Sequence, residues 1–116
     1  PNLGFFPDGS PCVVCQDYGS SYNISLNRFD GAKWSEVSGF GTVHTYPVLA
    51  MGPDGTPFVG YMDGDTLRAS VAKYEGKAWV QVGDPGFSTS TISDGASLAI
   101  APDGTPYFAY TDTSDG

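Results

Sequence analysis

Apolar and polar residues alternate along the chain in short runs and do not recur at helical spacing. In residues 22–29, Tyr22, Ile24 and Leu26 share one face while Asn23, Ser25 and Asn27 share the other. Leu67, Ala69 and Val71 alternate likewise with Arg68 and Ser70. A period of two marks half-buried strands. The runs are separated by turn signals: Pro7-Asp8-Gly9, Pro53-Asp54-Gly55 and Pro102-Asp103-Gly104, then Asp30-Gly31 and Glu75-Gly76. Proline sets φ for the second residue of a turn, aspartate tolerates the bridge region, and glycine supplies the left-handed conformation that closes it. Each signal therefore joins two antiparallel strands. In the middle of the chain this predicts strands near 48–52, 57–62, 67–74 and 78–83, with a further strand over 106–111.

The elements recur. Leu3-Gly4-Phe5-Phe6-Pro7-Asp8-Gly9-Ser10-Pro11 returns as Leu49-Ala50-Met51-Gly52-Pro53-Asp54-Gly55-Thr56-Pro57 and as Leu98-Ala99-Ile100-Ala101-Pro102-Asp103-Gly104-Thr105-Pro106. A second motif keeps the same phase, Phe29-Asp30-Gly31-Ala32-Lys33-Trp34 matching Tyr74-Glu75-Gly76-Lys77-Ala78-Trp79. A four-stranded meander at a period of roughly 45–50 residues is what a β-propeller blade requires. A β-sandwich is the runner-up, but it does not require its hairpins to repeat at that length. The expected fold is all-β, made of antiparallel four-stranded blades: repeat 1 over 1–47, repeat 2 over 48–96, and the first half of repeat 3 over 97–116. About two and a half blades fall short of the roughly four that close a ring. The expected partners therefore include the remaining blades of a longer chain, or other subunits.

These units resemble a β-propeller blade repeat of bacterial and archaeal cell-surface proteins. The similarity runs through Gly55-Thr56-Pro57-Phe58-Val59-Gly60-Tyr61, Lys73-Tyr74, Trp79, Val82-Gly83 and residues 97–110. The first copy departs from the pattern at Cys12, Cys15 and Ser38. The resemblance covers nearly the whole chain and implies a propeller fold and an extracellular or cell-surface location. It specifies a blade and not an activity, because propellers host lectins, hydrolases and scaffolds alike.

Composition narrows the partners. The 116 residues carry 5 Lys and Arg against 13 Asp and Glu, a formal charge of −8. That acidic field repels nucleic acid and anionic lipid. No run approaches the ~20 apolar residues of a membrane span, so neither nucleic acid nor membrane insertion is expected. With 16 glycines, 9 prolines and 14% aromatic residues, both long helices and disorder are disfavoured. The sequence opens without an initiator Met or signal peptide, so any targeting segment is expected to be removed or to lie outside it.

Candidate chemistry is sparse. Cys12 and Cys15 fall on a predicted strand, where three residues span ~10 Å and point to opposite faces. A disulfide needs Cα atoms less than about 7 Å apart, and a redox Cys-x-x-Cys needs a helix N-terminus. Two packing thiols are expected. Asp17, Asp63 and Asp112 occupy equivalent positions after the second strand of each unit and are expected to satisfy turn N–H groups. Asp63-Gly64-Asp65 and Asp112-Thr113-Ser114-Asp115 cluster oxygen ligands, which leaves Ca2+ as a minor alternative, but neither matches an EF-hand loop. Asp8, Asp54 and Asp103 are turn residues. His44 is the only histidine, and no Gly-x-Ser-x-Gly elbow accompanies it. Trp34 and Trp79 are expected to pack between blades, and Arg28, Lys73 and Arg68 to be strand charges in solvent. No catalytic residue, metal ligand or cofactor is expected.

Meander geometry does single out one end. The short glycine turns lie at one end of each unit, and the second-to-third-strand loops and inter-unit crossovers at the other. All the length variation is at this second end. Variable loops on a rigid scaffold are where binding usually resides. The candidates are Asp17, Tyr18, Phe40, His44, Tyr46, Asp63, Asp65 and Phe87, whose aromatic faces and oxygen acceptors suit a glycan or a protein surface. The expected function is a non-enzymatic, lectin-like binding or structural module. The alternatives are a purely architectural segment, or part of a glycan hydrolase. The hydrolase would need two carboxylates at ~5–9.5 Å in a shared pocket.

Overall fold

The computed structural model describes residues 2–16, 24–39, 45–88 and 91–112, with the backbone alone at Asn2, Gly39, Thr45, Tyr46, residues 93–95 and Asp112. The strands are β1 (Asn2–Phe5), β2 (Pro11–Gln16), β3 (Ile24–Phe29), β4 (Trp34–Gly39), β5 (Thr45–Met51), β6 (Pro57–Met62), β7 (Ala69–Glu75), β8 (Ala78–Val82), β9 (Ile92–Ile100) and β10 (Pro106–Asp112). They form three antiparallel sheets in chain order: β1-β2-β3-β4, β5-β6-β7-β8, and the pair β9-β10. No helix occurs among the described residues.

The Pro-Asp-Gly turns share one geometry. In each, a residue before the turn accepts from the glycine N–H and donates to the carbonyl beyond it. Gly9 N–H bonds to Phe6 O, Gly55 N–H to Gly52 O, and Gly104 N–H to Ala101 O, at 2.8–2.9 Å. The glycines take φ of 86°, 86° and 90°, which only glycine adopts without strain. The aspartate Oδ1 accepts from the N–H of Ser10, Thr56 or Thr105 at 2.9–3.0 Å. Identical turns give identical register: Cys12 faces Arg28 across β2 and β3, and Phe58 faces Lys73 across β6 and β7.

Two boundaries differ from the alternation. β5 begins at Thr45, and its register with β6 shifts between Thr45 and Val48. Pro47 lies in that shift and has no N–H to give a ladder. β7 begins at Ala69 because Leu67 is left-handed, with φ of 61°. Its N–H turns back to Asp63 O at 2.8 Å. Leu67 therefore leaves the face that Ala69 and Val71 keep.

Burial shows how the sheets are arranged. Along β2 and β3 the buried residues Cys12, Val14, Ile24 and Leu26 alternate with half-buried ones, so the first sheet is covered on one face. Along β6 and the start of β7 burial is continuous, so the middle sheet is covered on both. β10 alternates again, Phe108 and Tyr110 being half-buried while Tyr107 and Ala109 are exposed. The three sheets thus stack face to face in chain order, β5 resting on β1 and β2 on one side and on β9 on the other. The main core lies between the first two sheets, where Cys12, Val14, Ile24 and Leu26 meet Leu49, Val59, Tyr61 and Ala72. The second interface brings Gly60 against Phe108.

Candidate functional site

Asp17, Tyr18, Phe40 and His44 lie outside the described residues, and Tyr46 is described only as backbone on β5. Asp63, Asp65 and Phe87 lie together at the predicted loop end of the middle sheet. Asp63 is committed to its turn: its Oδ1 accepts from Asp65 N–H at 2.8 Å and Thr66 N–H at 3.2 Å, and its own N–H donates to Arg68 O at 2.8 Å. This is an Asx turn, the expected role for that position. Asp65 and Leu67 project from the loop and are exposed.

The crossover from β8 to β9 is stitched to this loop. Ala69 N–H donates to Ser88 Oγ at 3.0 Å, and Phe87 N–H returns to Ala69 O at 2.9 Å. Gly86 N–H donates to Ser70 Oγ at 2.7 Å, and Ile92 N–H to Leu67 O at 3.0 Å. Ser70 and Ser88 are both buried. Sequence reasoning missed them: a serine at an inward position reads as a weak strand residue until the crossover that needs its hydroxyl is placed over it. The result is a fixed platform. Phe87 stays 44% exposed while its ring edge meets Phe108 and Tyr110, each at 6.3 Å between centroids. Phe87 is therefore at once a packing residue and an exposed aromatic.

The opposite, short-turn end carries two concavities that the strand pattern did not predict. A cleft of about 640 Å³ in the first sheet is lined by Asp8, Ser10, Arg28 and Asp30. Arg28 Nε donates to Ser10 Oγ at 2.8 Å, its guanidinium pairs with Asp8, and it lies 4.7 Å from the centre of the Phe6 ring. A smaller cleft of about 270 Å³ joins the second and third sheets beside Asp54, Lys73, Glu75 and Asp103. Lys73 pairs with Glu75 at 3.0 Å. Both strand cations thus take carboxylate partners.

The electrostatics of these carboxylates follow from the turns. Hydrogen bonds from Ser10, with help from Arg28, hold Asp8 below the usual carboxylate range. Thr56 and Thr105 do the same for Asp54 and Asp103, and the N–H groups of Lys33 and Ala32 for Asp30. All four favour the charged form. Burial pushes the Tyr61 hydroxyl upward, and that hydroxyl donates to Gln81 Oε1 at 3.0 Å.

Cys12 and Cys15 are free thiols. Cys12 is buried against Met51, with the sulfurs 3.9 Å apart, and burial raises its pKa. Cys15 lies on the other face of β2. Among the described residues no group of three or more His, Cys, Asp or Glu side chains could hold a metal ion, and no helix is long and apolar enough to cross a membrane. The protein belongs to the all-β class, as a stack of antiparallel sheets carrying one repeated unit. Comparison with family models, curated proteins and solved structures gives no match.

Proposed function

We propose that the chain is a run of β-propeller blades at an extracellular or cell surface, acting as a non-enzymatic binding or structural module. Its ligand is a glycan or protein surface held at the end where second-to-third-strand loops and crossovers meet. The observation that carries this reading is Phe87: an aromatic ring left 44% open on a crossover fixed by four hydrogen bonds to the neighbouring loop and strand. A rigid, half-exposed aromatic gives a stacking surface at small entropic cost. Beside it, Asp65, Thr66 and Arg68 supply exposed polar groups.

The blade reading draws support from the repetition of turn, register and inter-sheet packing across the units. The binding reading is favoured over hydrolysis by the Asp63 carboxylate. Asp63 spends its oxygen on its own turn.

A glycan array probed with the chain and with Phe87→Ala tests the reading. Binding by the native chain that weakens roughly 3–10-fold in the variant, the worth of one aromatic stack, is the expected result. Release of reducing sugar from a bound glycan would move the assignment to hydrolysis.

A further inference from the structure

We propose that the outer face of the first sheet and the outer face of the third bind one another between molecules, so that the 116-residue chain associates head to tail with a second copy of itself. This rests on the blade-stacking reading and adds an occupant for each open face.

Every sheet has a backward face, turned to the preceding unit, and a forward face, turned to the next. In the middle sheet Leu49, Met51 and Val59 face backward, and Ala50, Phe58 and Gly60 forward. The equivalent backward residues of the first sheet are Leu3, Phe5 and Val13. The equivalent forward residues of the third are Ala99, Tyr107 and Ala109. Leu49 is 8% exposed and Leu3 is 62%; Phe58 is 7% and Tyr107 is 64%. The same positions that close an interface around the middle sheet are thus exposed on the first and third sheets. None of the six is charged, and together they are the two halves of one contact.

The fit extends to individual positions. Cys12 and Gly4 of the first sheet meet Met51 of the second, with the Cys12 and Met51 sulfurs 3.9 Å apart and a Cβ on Gly4 falling 2.7 Å from Met51 Cγ. By equivalence, Tyr107 and Ala99 would meet Phe5 of the next copy. Gly60 meets Phe108, and by equivalence Ala109 would meet Val13. Ala109 carries the Cβ that Gly60 lacks, and Val13, smaller than the Phe108 ring it replaces, leaves room for it. The internal contacts run mainly through the first two strands of one sheet and the first strand of the next, and the third sheet has both of those strands. Such an interface is heterologous, so a dimer keeps one free face of each kind.

The test is the mass of the 116-residue chain across a concentration series, by sedimentation equilibrium. The native chain should rise to at least twice its monomer mass. Phe5→Asp removes the backward face and Ala109→Arg the forward face, and each variant alone should be a monomer. An equimolar mixture should form a one-to-one dimer, since one intact backward face meets one intact forward face; this also shows that both variants are folded. Leu3→Lys is an independent variant of the backward face. A native chain that stays monomeric, variants that keep the native mass, or a mixture that stays monomeric while both variants keep the native circular dichroism would each overturn the inference. Failure here with glycan binding through Phe87 intact leaves the binding reading standing. Association without glycan binding does the reverse.

Discussion

Gly60 and Phe108 approach so closely that a Cβ on Gly60 would fall 2.0 Å from Cε2 of the Phe108 ring. The glycine belongs to the middle sheet and the ring to the third, so their contact sets how near the two sheets lie. Phe108 in turn carries Tyr110 at 5.6 Å and Phe87 at 6.3 Å between ring centres. One missing side chain therefore positions the aromatic cluster beneath the candidate binding end.

Gly60→Ala should destabilise the fold by about 1–3 kcal/mol, the usual range for overpacking a filled interface. Adding Phe108→Leu should recover part of the loss, because the two residues are in contact and their effects do not add. Urea denaturation of the single and double variants measures both. Equal stability of Gly60→Ala and the native chain would mean that the sheets do not meet as described.

Ser88→Ala should leave the Ala69 N–H without its hydroxyl acceptor inside the protein, at a cost of about 1–3 kcal/mol. The damage should be local. Amide exchange should accelerate at Ala69 and along residues 83–88 while residues 11–16 keep their protection. Uniform acceleration across both regions would argue against a stitched crossover.

Acid should loosen the turns. Asp8, Asp30, Asp54 and Asp103 have folded values held below their unfolded ones by donated hydrogen bonds. Their stabilisation is therefore complete above the ordinary aspartate range and is lost as pH falls through the depressed values. NMR titration should place these four carboxyls below about 3.9, the ordinary aspartate value. Asp54→Asn keeps an acceptor oxygen, so it should retain much of the turn while removing its share of the acid dependence; Asp54→Ala should lose both.

Thiol labelling should divide the cysteines. Cys12 is fully buried, with its pKa raised by that burial, while Cys15 is only half-buried on the open face of the first sheet. At low protein concentration one thiol per chain should react, at Cys15, and the second only after denaturant. Simultaneous reaction of both would place Cys12 on the surface.

The sequence made the local chemistry legible and left the tertiary choices hidden. The Pro-Asp-Gly turns, the hairpins and the Asx role of Asp63 could be read because each depends on residues within a few positions of one another. Leu67 could not. Leucine has no preference for φ of 61°, and the conformation is held by bonds to Asp63 O and from Ile92 N–H, the latter far along the chain. The strand over 57–62 was legible, but nothing local says that both faces of β6 are covered. That depends on having a sheet on either side. Arg28 reads as a surface charge by pattern, and only the fold brings it to Asp8 and Phe6.

Among the described residues the main packing contacts run between neighbouring sheets, so the chain behaves as a short one-dimensional lattice. Its free energy is a sum of unit terms and nearest-neighbour couplings. Among the described sheets the middle one has two couplings and the first and third have one each, so local opening should reach residues 57–72 last. Extending the array by one unit would then raise the protection of whichever end it covers and leave the far end unchanged.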